Sequence, residues 1–78
     1  MKKQFNGTAT MNFMINDKAY HEIRFRLWEN YGKKRIYFES TAIKGYIDCN
    51  NDNEIIISKS SYSAAKNTIV EFINTYEF

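Results

Sequence analysis

The spacing of apolar side chains changes once along this chain, near Ser60, from every second residue to every third or fourth. Alternation at every second residue is typical of a half-buried β-strand, because successive side chains point to opposite faces of a sheet. Spacing of three and four places apolar side chains on one side of an α-helix. The sequence therefore predicts a run of strands followed by one C-terminal helix.

Residues 4–15 show the clearest alternation, and they are predicted to form one strand with Phe5, Gly7, Ala9, Met11, Phe13 and Ile15 on a single face. Within it, Gly7 is expected to mark a bulge or a close backbone approach. Further strands are predicted over residues 19–29, over 34–40, from Lys44 onwards, and over 54–58. The last is either a fifth strand or the end of a bent fourth. Turns are predicted at 16–18, 30–33 and 50–53, where Asn, Asp and Gly concentrate.

The helical segment carries its apolar residues at Tyr62, Ala65, Ile69, Phe72, Ile73 and Tyr76. A serine at 60, 61 or 63 is expected to cap its start by accepting from a free backbone amide. We expect the helix to lie across the sheet and to contact Phe13, Ile23, Phe25 and Phe38. The predicted fold is α+β: an antiparallel four- or five-stranded meander sheet followed by one C-terminal helix packed on one face, in a single domain over residues 1–78.

A single cysteine, Cys49, excludes a disulfide framework and a multi-cysteine zinc site. No apolar segment follows the basic residues at the start, so a signal peptide is not predicted. No stretch approaches the 18 apolar residues of a membrane span, so no membrane partner is expected. We expect a cytoplasmic protein that needs no cofactor.

One helix covers only one face of a sheet, which leaves the other face to water or to a partner. The predicted outward face combines aromatic and arginine side chains on the second and third strands: Tyr20, Arg24, Arg26, Trp28, Arg35 and Tyr37. Arginine and aromatic residues are the favoured anchors of protein interfaces. They also suit single-stranded nucleic acid, since bases stack on rings and guanidinium groups hold phosphates. A third interpretation is a plain surface in which cross-strand pairs stabilise the sheet.

The net charge of +2 permits a nucleic-acid partner and does not demand one, because it is well below the balance of strongly basic DNA-binding domains. The same open face, or an open sheet edge, is a surface on which a second copy of the chain could pair to form a homodimer.

Candidate catalytic and metal-binding residues are few. His21 falls on the inward apolar face, where a histidine satisfied by one hydrogen bond is the ordinary interpretation, and Cys49 is interpreted as a small buried hydrophobe. Oxygen-bearing residues at 48, 50, 52 and 54 follow the alternate spacing of a calcium loop, but Asn53 and Lys59 stand where that loop needs Gly and Glu. We predict a polar turn there, no metal site and no enzyme.

In element order alone, four strands followed by a helix resemble the repeat of PUR-type single-stranded nucleic-acid binders. They also resemble small proteins of phages and plasmids that inhibit host defence enzymes. Fold likeness does not assign a function. The function expected from the sequence is a small non-catalytic binding protein acting through its exposed sheet face on a protein partner, as an inhibitor or accessory factor. The alternative is a single-stranded DNA- or RNA-binding domain that uses the same face.

Overall fold

The computed structural model describes residues 1–15, 19–41, 43–59 and 63–78. These residues form seven strands and one helix. The strands are β1 (Lys3–Gln4), β2 (Thr8–Ile15), β3 (Ala19–Asn30), β4 (Lys33–Glu39), β5 (Lys44–Asp48), β6 (Glu54–Lys59) and β7 (Tyr76–Glu77), and the helix is α1 (Ser63–Thr75). The predicted turn at 16–18, the candidate caps Ser60 and Ser61, and the predicted helical residue Tyr62 lie outside the described residues.

Five of the strands form one antiparallel meander sheet in the order β2-β3-β4-β5-β6. The predicted α+β fold, a meander followed by one C-terminal helix, is confirmed. The choice between four and five strands is also decided, because β6 is a separate strand that pairs Ile55 with Ile47 and Ile57 with Gly45. A bulge interrupts this pairing between Lys44 and Gly45, where Ser58 is the extra residue of β6.

The prediction of one unbroken strand over residues 4–15 is wrong. Gly7 has a φ of 99°, a conformation that glycine adopts readily because it has no Cβ, and the chain changes direction there. The residues before Gly7 leave the meander, and β1 pairs in parallel with β7 at the other end of the chain. The backbone N–H of Phe5 then donates to the carbonyl oxygen of Glu77 at 3.0 Å.

The core lies between the sheet and α1. Its buried apolar side chains come from the inward positions of the strands, from one side of the helix and from the loop before β5: Phe5, Phe13, Ile23, Phe25, Ile36, Phe38, Ile43, Ile47, Ala65, Ile69 and Phe72. The predicted packing of the helix on the sheet is confirmed by Phe72, whose ring stacks on that of Phe25. Full burial of a Phe or Ile side chain contributes on the order of 1.5–3 kcal/mol to the stability of the fold.

None of the described helical residues forms a segment long and apolar enough to cross a membrane.

Candidate functional site

The face of the sheet opposite α1 is open. Along β3 the side chains alternate, so that Ile23 and Phe25 are buried while Arg24 and Arg26 are exposed. We call the side that carries Arg24 and Arg26 the outward face. The cross-strand register places Tyr37 of β4, Tyr46 of β5 and Ile56 of β6 in one row with Arg26 on this face.

Four side chains of the outward face contact one another, and we call Trp28, Arg35, Tyr37 and Tyr46 the aromatic cluster. The rings of Trp28 and Tyr37 meet edge to face, with centroids 6.1 Å apart and an interplanar angle of 89°. The rings of Tyr37 and Tyr46 are 5.5 Å apart and tilted by 47°. An edge-to-face pair of this kind stabilises the fold by about 0.5–1.5 kcal/mol beyond the effect of burying the ring surfaces.

Arg35 connects the three rings of the aromatic cluster. Its guanidinium carbon lies 4.4 Å from the ring centroid of Tyr46 and 5.7 Å from that of Trp28. Its Nη1 donates a hydrogen bond to the hydroxyl oxygen of Tyr37 at 3.0 Å. This hydrogen bond raises the pKa of the Arg35 guanidinium above its ordinary value, so the group stays charged at any physiological pH.

The side chains of the aromatic cluster are held by contacts with one another. Tyr37 keeps 37% of its surface exposed, whereas Trp28, Arg35 and Tyr46 are half-buried because they cover one another. Their contacts restrict the rotamers of long side chains, and such restriction lowers the entropic cost of binding. The cluster is therefore an amphipathic surface that offers ring edges, a hydroxyl group and one guanidinium group.

The structure brings together three of the six residues predicted for this site, Trp28, Arg35 and Tyr37. Arg26 lies directly opposite Tyr37 and so borders the cluster. Nε of Arg24 donates to Oε1 of Glu22 at 3.1 Å on the same strand. Tyr20 is 74% exposed, but it is eight residues from Trp28 along β3, about 26 Å at the rise of an extended strand.

Three shallow hollows surround Arg24 on or beside the outward face. One, of about 260 Å³, lies between Arg24 and Lys44 and is lined by Arg26, Tyr37 and Glu39. A second, of about 330 Å³, lies beside Thr8 and Thr10. The largest, of about 490 Å³, extends towards Tyr20 and Thr41. They are open depressions into which side chains of a partner could fit, rather than an enclosed ligand cavity.

Charges of both signs lie on the outward face. Basic and acidic residues occupy neighbouring positions of β3 to β6: Glu22, Arg24, Arg26, Arg35, Glu39, Lys44, Asp48 and Glu54. Two of the pairs are in contact, Arg24 with Glu22 at 3.1 Å and Lys44 with Glu39 at 3.7 Å. Both pairs are largely exposed, so each contributes little to stability.

Two aromatic residues were missed as candidate site residues in the sequence. Tyr46 belongs to the aromatic cluster, and its register opposite Tyr37 is the signal that would have found it. Tyr31 lies at the tip of the β3–β4 hairpin with 98% of its surface exposed and a φ of 48°. A sequence pattern places it in a turn but does not show that its ring stands clear of the protein.

His21 and the acidic turn have ordinary structural roles. The His21 ring stacks on Phe13 at 5.5 Å, and its Nδ1 lies within hydrogen-bond distance, 3.2 Å, of Oγ1 of Thr41. In the turn, the Asp48 carboxylate accepts from the backbone N–H of Asn50 at 3.2 Å, and Glu54 accepts from the side chain of Asn51. Among the described residues no three His, Cys, Asp or Glu side chains are grouped as metal ligands would be.

Neither a protein-family model, nor a curated protein, nor a solved structure matches this chain. A function is therefore inferred from the outward face itself.

Proposed function

We propose that this chain is a small non-catalytic binding protein whose outward face engages another protein, with the aromatic cluster at the centre of the contact. The observation that carries the proposal is the position of Arg35, held against Trp28, Tyr37 and Tyr46 on a face that no other element of the described chain covers. Trp, Tyr and Arg are the residue types that dominate the binding energy of protein interfaces. Such a protein acts by occupying its partner's surface, as an inhibitor or an accessory factor does.

The arrangement of rings favours a protein partner over single-stranded nucleic acid. Bases need free ring faces on which to stack. In the aromatic cluster the Arg35 guanidinium already lies over Tyr46 and Trp28, and the ring edges of Trp28 and Tyr37 are turned against each other. The parts of the aromatic cluster that remain accessible suit contacts with the edges and polar groups of protein side chains.

The charges of the outward face also favour a protein partner. A strand of nucleic acid is held largely by basic groups that displace its counterions. Here Glu22 and Glu39 lie beside Arg24 and Lys44 and oppose their charge. In protein interfaces, patterns of charge that complement those of the partner give specificity.

The test begins with capture of the partner from cells of the source organism on immobilised protein, with and without nuclease. The captured protein is purified, and its affinity is measured by biolayer interferometry against wild type, Trp28→Ala and Arg35→Ala. We expect each substitution to weaken binding by about 2 kcal/mol, roughly thirtyfold, because it empties the centre of the contact. Lys66→Ala and Val70→Ala, on the exposed side of α1, are matched controls that keep wild-type affinity.

A labelled oligothymidine is titrated in parallel at two salt concentrations, since nucleic-acid binding falls steeply with salt. Tight, salt-dependent binding of the oligonucleotide that Arg24→Ala/Arg26→Ala abolishes would replace the protein-binding proposal with the nucleic-acid alternative. Variants of the aromatic cluster that stay folded and bind the purified partner as wild type does would show that another surface makes the contact.

A further inference from the structure

We propose that two copies of this chain form a two-fold dimer by pairing β6 antiparallel with β6 of the second copy, centred on Ile56. The pairing would join two five-stranded sheets into one continuous sheet. This inference concerns the edge of the sheet and does not depend on the proposed function of the outward face.

The outer edge of β6 is open. β6 is the last strand of the meander, and along its outer side the described part of the chain supplies no backbone hydrogen-bond partner to Ile55, Ile56 or Ile57. An open edge is a template for pairing with another strand. Natural edge strands are commonly protected by charges or proline, but three consecutive isoleucines form the middle of this one.

The other edge of the sheet, β2, is less suited to self-pairing. Its outward side chains are polar at Thr8, Thr10 and Asn12. At the centre of β6 the outward side chain is Ile56, which lies opposite Tyr46, and both of its inward neighbours are also isoleucine. Of the two edge strands of the meander, β6 therefore has an apolar outward side chain at its centre, whereas β2 has polar ones.

The sequence of β6 is self-complementary in this register. Pairing centred on Ile56 sets Ile56 opposite Ile56 of the second copy, and Ile55 opposite Ile57 of the second copy. Directly opposed residues share a face in an antiparallel sheet, so the inward isoleucines would extend the two cores and Ile56 would meet its own copy outward. No like charges are opposed within the pairing from Glu54 to Ser58.

The dimer would also continue an apolar row that the monomer leaves unfinished. Tyr37, Tyr46 and Ile56 follow one another across β4, β5 and β6 on the outward face. Across the two-fold axis the row would run through Ile56 of the second copy to its Tyr46 and Tyr37. With strands about 4.8 Å apart, the two Tyr46 side chains would lie about 14 Å from each other. Two aromatic clusters would then share one broad face.

Replacing Ile56 by residues of opposite charge tests the pairing and its register together. In sedimentation equilibrium from 1 to 500 μM we expect wild type to dimerise. Ile56→Lys and Ile56→Glu should each weaken the dimer at least tenfold, because like charges would face each other across the axis. An equimolar mixture of the two variants should recover dimers, since Lys would then lie opposite Glu. Tyr20→Lys, at an exposed position near the other edge of the sheet, is the matched control and should dimerise as wild type does.

Hydrogen exchange supplies a readout that needs no substitution. The amide protons of β6 that point to its outer edge should become more protected as the concentration of wild type rises, while those of β2 do not. A strict monomer up to 500 μM would overturn the proposal. So would a dimer that Ile56→Lys leaves intact, or a mixture of folded variants that stays monomeric.

Discussion

The rings of Phe25 and Phe72 lie parallel, with centroids 3.9 Å apart and planes within 1° of each other. Phe25 is at the centre of β3 and Phe72 is on the buried side of α1, so this stack joins the helix to the sheet. Phe72 also meets Phe5 edge to face at 5.3 Å. The N-terminal segment, the sheet and the helix therefore converge on one side chain.

Replacing Phe72 by Ala should lower the free energy of unfolding by about 3–5 kcal/mol, because it removes a fully buried ring and leaves a cavity. A loss of that size is a large fraction of the stability of a domain as small as this one. Urea titration followed by far-UV circular dichroism measures it. Val70→Ala, 40% exposed on the same helix, should change stability by less than about 0.5 kcal/mol. A Phe72→Ala protein that melts with wild type would contradict the packing described.

The meander and the helix could be predicted from the sequence because both follow from local periodicity. Alternation at Ile23 and Phe25, and spacing of three and four through Ile69 and Phe72, depend on neighbours in the chain. The pairing of β1 with β7 could not be predicted, since it joins Lys3 to Tyr76 and depends on a left-handed Gly7 that the alternation conceals.

The candidate site was predicted in part for the same reason. The alternation of side chains along each strand put Trp28, Arg35 and Tyr37 on one face. It also gave equal weight to Tyr20, because alternation does not show how far apart two residues lie along a strand. Tyr46 was missed, because its place beside Tyr37 depends on the register of β4 with β5, which the intervening loop sets.

Gly45 is expected to tolerate no side chain. A Cβ there would overlap the carbonyl oxygen of Ile56 and lie 2.9 Å from Cζ of Phe38, so the backbone of β6 would have to move. Gly45→Ala should therefore destabilise the fold by at least about 1–3 kcal/mol, the cost of overpacking a core. Gly32→Ala is the comparison: open space surrounds Gly32, and only its φ of 78° opposes the substitution. Equal urea midpoints for Gly45→Ala and wild type would refute the close approach.

Cys49 gives an expected pH dependence. Burial raises the pKa of its thiol, and the nearby Lys34 offsets only part of that rise. Because the unfolded thiol ionises at its ordinary pKa, the stabilising effect is complete below that value and is lost as pH rises through the folded pKa. Urea midpoints of wild type should thus fall more than those of Cys49→Ala between pH 8 and 10.5. Parallel pH profiles for the two proteins would show that burial does not suppress ionisation.

Tyr31 should be replaceable with a gain in stability. It occupies the first position of the two-residue turn between Asn30 and Lys33, and both turn residues have positive φ. The left-handed conformation costs a typical residue about 1–2 kcal/mol. Asn adopts it at a lower cost, because its short side chain forms hydrogen bonds with the nearby backbone. Tyr31→Asn should raise the free energy of unfolding by about 0.5–1 kcal/mol in urea titration, whereas β-branched Tyr31→Val should lower it. Loss of stability in the Asn variant would mean that the exposed ring stabilises the fold.

The side chain of Asn50 should hold the same hairpin in place. Its Oδ1 accepts from the backbone N–H of Lys34 at 2.6 Å, and its Nδ2 donates to the carbonyl oxygen of Gly32 at 3.2 Å. The side-chain amide of Asn50 thus satisfies a backbone N–H and a backbone carbonyl that strand pairing leaves free. It also joins the tip of the β3–β4 hairpin to the turn after β5. Asn50→Ala removes both bonds and should cost about 1–3 kcal/mol at roughly 1 kcal/mol per bond.

Asn50→Asp is the matched variant, since a carboxylate keeps the acceptor for Lys34 and loses the donor to Gly32. Its urea midpoint should fall below that of wild type, because the second carboxylate oxygen would face the carbonyl oxygen of Gly32. The amide proton of Lys34 should exchange with solvent slowly in wild type and in Asn50→Asp, and quickly in Asn50→Ala. An Asn50→Ala protein with a protected Lys34 amide would show that another group makes this bond. Because the hairpin carries Trp28 and Arg35 on its two strands, loosening its tip should also weaken the near-UV circular dichroism signal of Trp28.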